Sequence, residues 1–68
     1  MSADELKRRR EALEMSTYDL AYAFEVAPSS IYRWESGATP LTGLVAVGAD
    51  TVLKELERKR RAAQRGGE

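Results

Sequence analysis

Neither cysteine nor histidine occurs anywhere in this chain of 68 residues. That absence constrains the fold more than any other feature. A domain so short often relies on disulfides or a structural metal, because its core alone supplies only about 3–5 kcal/mol. Disulfides and thiolate or imidazole metal sites are ruled out by composition. The chain must therefore fold on apolar packing alone, aided by very regular elements or by association with a copy of itself. Hydrophobic residues make up 43% and charged residues 32%, a balance that suits a single globular domain and not a disordered segment. No apolar run is long enough for a signal-peptide core or a membrane span. The lack of cysteine fits a reducing cytoplasm, which is the expected location.

The apolar residues recur at helical spacing, with no useful β-type alternation. An all-α fold is expected: a compact bundle of four to five short helices containing a helix-turn-helix. Ser2 can cap a first helix over 3–14, with Glu5 completing a capping box and Leu6 and Leu13 marking the buried face. Ser16, with Asp19 three residues on, opens a second helix over 17–24. Glu25, Val26 and Ala27 form a tight connection. Pro28 then starts a helix over 28–36, since proline at the first helical position gives up no hydrogen bond. Ile31 and Trp34 take its buried side, and Ser29, Ser30, Tyr32 and Arg33 its other faces. Gly37 stops it. Leu41, Leu44, Val45 and Val47 suggest a fourth helix ending near Gly48, and Asp50 caps a fifth carrying Val52, Leu53 and Leu56. These boundaries make residues 1–57 the folded domain. Residues 58–68 are a basic, partly frayed extension of the last helix, without order over the final three residues.

Two short helices, each with one apolar stripe, cannot close a core by themselves. Flanking helices must cover them, and the second of the pair is then held outward. The stretch Arg10–Pro40 resembles the lambda-repressor-like helix-turn-helix family, which includes Cro proteins and xenobiotic-response-element regulators. The resemblance is carried by Arg10, Ser16, Leu20, Ala21, Val26, Ser29, Ile31, Trp34, Glu35, Gly37 and Pro40. It implies a positioning helix at 17–24 and a recognition helix at 28–36 that enters the major groove of DNA. Ser29, Ser30 and Arg33 would then meet base edges. Thr17, Pro28, Tyr32 and Thr39 would lie at the backbone or the periphery. Arg10 and Glu35 would form a buried ion pair. The chain departs from the family pattern at Glu25, where glycine is usual, at Ala27 in place of a polar cap, and at Thr17 in place of glutamine.

The function expected from this resemblance is that of a sequence-specific transcriptional regulator, a repressor above all, with double-stranded DNA as its partner. No cofactor, metal or small-molecule ligand is expected. Val52, Leu53 and Leu56 are the expected contacts of a homodimer on a palindromic site. The competing reading keeps the fold as a protein-interaction module, antitoxin-like or adaptor, with little affinity for DNA. The formal net charge of zero favours that alternative. The basic runs Lys7–Arg10 and Arg58–Arg61 are solvated faces or phosphate contacts. No catalytic pair can be assembled: Glu55 and Glu57, two apart on a helix, point in different directions, and an enzyme is not expected.

Overall fold

A computed structural model describes residues 1–66 of the chain. Four helices follow one another: α1 (Ala3–Ala12), α2 (Thr17–Phe24), α3 (Pro28–Ser36) and α4 (Gly43–Gly66). The chain is an all-α bundle.

Local chemistry accounts for each end. Ser2 caps α1 by accepting from the Glu5 amide at 3.0 Å. The Glu5 carboxylate does not return that bond to complete the expected box; it reaches Arg9 instead at 3.4 Å. α1 stops two residues earlier than its apolar spacing suggests, because Glu14 turns left-handed at φ 57°. Ser16 and Asp19 do form a reciprocal capping box at the start of α2, with bonds of 3.0 and 3.1 Å. Glu25 ends α2 in the left-handed region at φ 57°, ψ 43°. A side chain there costs about 1–2 kcal/mol, and this is the position where the resembling family has glycine. Ala27 gives α3 no side-chain cap, but Pro28 stands in its first turn. Gly37, at φ 81°, closes α3.

The fourth and fifth helices expected from sequence are one. Gly48 and Asp50 resemble a stop and a cap, yet α4 runs through both for 24 residues. Ala49 and Leu53, four apart, lie on one stripe and are both buried. Breaking the helix between them would forfeit that packing, which outweighs the roughly 1 kcal/mol cost of glycine in a helix interior. The helix also continues past residue 57 to Gly66, so the proposed extension is part of a single element. Of the three residues expected to lack order, Gly66 ends α4 and residues 67–68 lie outside the described part.

The core is built from Leu6, Leu13, Leu20, Ala21, Ile31, Leu41, Ala49 and Leu53, with Phe24, Val26, Trp34 and Leu56 packed against it. α3 lies across α1 and α2, and α2 also packs on α4. Leu44, Val45 and Val47 are exposed on α4, Leu44 at 89%. The expected dimer contacts are corrected here. Leu53 is fully buried within this one chain, so it cannot be a dimer contact; its register on α4 places it under Leu20 and Ile31 in the same apolar cluster. Leu56 is half-buried against that cluster too, leaving only Val52 of the three beside an open groove.

Candidate nucleic-acid interface

The α2–turn–α3 unit is held from three sides. Ala21 is small and buried at the crossing of α2 and α3. The Val26 amide closes the turn by donating to the Ala21 carbonyl at 3.0 Å. Thr17 Oγ1 donates to the Tyr32 hydroxyl at 3.2 Å, tying the start of α2 to the middle of α3. Behind α3, the Arg10 guanidinium grips Glu35 with two bonds, Nε to Oε2 at 2.7 Å and Nη2 to Oε1 at 3.0 Å. Its remaining nitrogen, Nη1, donates to the Met15 carbonyl at 3.0 Å. Both side chains are largely withdrawn from solvent, at 13% and 9% exposed. The bidentate bond to Glu35 raises the Arg10 pKa further above its ordinary value.

With Ile31 fully buried, the helical period turns Ser29 and Arg33 outward, and both are exposed. Ser36 joins them at i+7 and is exposed as well. Sequence reading missed Ser36, although the spacing from Ser29 was available. Its hydroxyl donates to the Arg33 carbonyl and accepts from the Ala38 amide, at 3.2 and 3.3 Å. Tyr32 flanks this face at 54% exposed. Ser30 does not share the outward face; it is half-buried on the side nearer Trp34. Pro28, Thr17 and Thr39 are half-buried at the margins, and the Thr39 amide donates to the Arg33 carbonyl at 3.2 Å. Tyr18 and Tyr22 on α2 are open, at 66% and 88% exposed.

No protein-family model matches the chain, and neither a curated protein nor a solved structure matches it. The likeness to lambda-repressor-like domains therefore rests on the residue pattern alone.

Folding redistributes the charge. Four cations of the two basic runs, Arg9, Arg10, Arg58 and Arg60, are drawn into ion pairs, while Lys7, Arg8, Lys59 and Arg61 stay exposed. Arg9 is drawn onto α4, where it holds Glu57 at 2.9 Å and Asp50 at 2.7 Å. Those bonds raise the Arg9 pKa, chiefly through Glu57, and lower the carboxyl pKa of both Glu57 and Asp50. Arg60 turns back to the end of α1, donating to the Leu13 carbonyl at 3.1 Å and pairing with Glu14 at 3.3 Å. Arg58 pairs with Glu55 and lowers its pKa. Lys54 pairs with Asp50. Arg33 makes no ion pair among the described residues, and it is the one cation between Arg10 and Lys54. The outward face of α3 thus presents hydroxyls and a single free guanidinium.

Proposed function

We propose that this domain binds double-stranded DNA in a sequence-specific manner and acts as a transcriptional regulator, a repressor of the lambda-repressor-like kind. The observation that carries the reading is the outward face of α3. Ser29, Arg33 and Ser36 line it, on a short helix braced from behind by Ile31 and the Arg10–Glu35 pair. Nine residues at 1.5 Å each give about 14 Å of helix, a length that suits a major groove about 12 Å wide. Arg33 has the reach and the planar fork to engage guanine O6 and N7. Thr17 and the first amides of α2 would be the contacts to a flanking phosphate.

A neutral domain with one free cation on its reading face draws little affinity from bulk charge. Discrimination between sequences must then come from α3 itself, and the salt dependence should be shallow. The test is selection of bound duplexes from a random pool, followed by affinities for selected and scrambled duplexes across a salt series. Arg33→Ala should weaken the selected duplex by about 1–3 kcal/mol and relax one base position. Equal weakening of both duplexes would make Arg33 a phosphate contact, and recovery of no preferred duplex would overturn the reading.

The exposed tyrosines of α2 favour a second reading, a protein-binding module, because tyrosine is enriched at the anchors of protein interfaces. Tyr22→Ala separates the two. It should leave DNA affinity unchanged if α3 reads DNA, and abolish capture of a partner if α2 docks one.

A further inference from the structure

Tyr22 and Glu25 line an open trough of about 540 Å³ at the end of α2. Ala21, Ala23 and Val26 complete it, so its floor is small and apolar. Tyr22 stands over it at 88% exposed, and Tyr18, one turn back on the same side of α2, is also open. Glu25 is the unusual member. It holds the left-handed conformation at φ 57°, which glycine adopts without strain. Its carboxylate gives nothing back to the fold: it is exposed and enters no hydrogen bond or ion pair among the described residues. The acids around it in sequence are already occupied, Asp19 in the cap of α2 and Glu14 with Arg60. From Glu11 to Tyr32 the chain holds four acids and no cation, so no neighbour along the chain can neutralise Glu25.

We infer that this trough takes an arginine side chain from a basic segment of another protein. Three features select that chemistry together. The two alanines and Val26 suit the methylene stem of a long cationic side chain, which gains by lying on apolar surface. The Tyr22 ring offers its negative face to a cation, and a planar guanidinium stacks on it as an ammonium cannot. Glu25, three residues on, supplies a carboxylate that the guanidinium engages with two parallel bonds. The same charge repels phosphate, so the trough is not a further nucleic-acid contact. Strain at Glu25 is retained because its carboxylate serves outside the fold. The inference rests on the reading of α2 as a docking helix and does not depend on what α3 binds. One arginine is held weakly, with a dissociation constant on the order of millimolar.

The probe is a short capped peptide alternating arginine and alanine, titrated into the full chain and followed by amide NMR shifts. Shifts should centre on residues 18–26, and binding should weaken with added salt. The same peptide with citrulline for arginine, alike in shape but neutral, should bind about tenfold more weakly. Glu25→Gly sharpens the comparison, because it relieves strain while removing the carboxylate. It should melt no earlier than wild type, yet bind the arginine peptide about fivefold more weakly. Tyr22→Ala should weaken binding similarly and Tyr22→Phe should not. Glu11→Gln, an exposed acid outside the trough, should bind as wild type does. Equal binding of the citrulline peptide would overturn the arginine assignment while leaving α2 a docking helix. Shifts spread over all exposed acids, or wild-type binding by Glu25→Gly, would remove the site altogether.

Discussion

Glu35 anchors α3 to α1. It receives two of the three hydrogen bonds made by Arg10, in a pocket that leaves it 9% exposed. Truncating it strands the guanidinium, and breaking a buried pair costs roughly 3–5 kcal/mol. A core of this size supplies about the same. Glu35→Ala should therefore lose its helical circular dichroism at ordinary temperature; a thermal midpoint within a few degrees of wild type would refute the bridge. The Arg58–Glu55 pair is the useful contrast. It is as short, at 2.6 Å, but both side chains are at least half exposed. Glu55→Ala should leave the thermal midpoint almost unchanged, because solvent screens an exposed pair. Spacing alone did not point to the Arg10–Glu35 contact, because the partners are 25 residues apart; only the resemblance implied it. Outwardness of Ser29 and Arg33, by contrast, followed directly from the period set by Ile31 and Trp34. Ser30 lies one residue beyond Ser29, a turn of about 100°, which carries it from the outward face to the flank.

Among the elements, the connection between α2 and α3 is where strain is stored. Glu25 sits at φ 57°, where a Cβ costs about 1–2 kcal/mol, while glycine would lose about 0.4–1 kcal/mol through its freer unfolded chain. The difference leaves Glu25→Gly more stable by about 0.5–1 kcal/mol. For a domain this small that raises the thermal midpoint by several degrees. Calorimetry of the variant checks it, and an unchanged or lowered midpoint would show that Glu25 makes compensating contacts in solution. The helix ends differ in how far a sequence can announce them. The Ser16–Asp19 box, Pro28 and Gly37 are local signals, and α2 and α3 begin and end where those residues place them. Gly48 and Asp50 gave equally local signals and misled, because a buried stripe through Ala49 and Leu53 decides the matter at longer range. The same long-range fact moved Leu53 from an expected interface into the core.

At the scale of the whole molecule, charge is spent on holding elements together. Lys7–Arg10 and Arg58–Arg61 look like two basic runs in the sequence, but folding commits Arg9, Arg10, Arg58 and Arg60 to acids. For Arg9 and Arg60 the acid each meets depends on how α1 lies against α4, and no periodicity encodes that; Arg58 meets Glu55 three residues away on its own helix. Arg9 ties those two helices together, and it makes stability depend on pH. Its hydrogen bonds hold the carboxyl groups of Glu57 and Asp50 below their ordinary values, with Lys54 adding to the effect at Asp50. Unfolded, such groups titrate near pH 4. Below that point the unfolded chain takes up protons that the folded chain still refuses, so stability falls as pH falls. The contribution is fully present above about pH 4–5 and is lost as the pH drops through the lowered folded values. Arg9→Met removes the cause shared by both carboxyls, and should flatten the decline in denaturant midpoint between about pH 5 and pH 2. Lys54→Met removes only the second cause at Asp50 and should change the slope much less. Denaturant midpoints of the three proteins across that pH range make the comparison. Parallel curves for wild type and Arg9→Met would mean that the acid sensitivity arises elsewhere, with the Arg60–Glu14 pair the next to test.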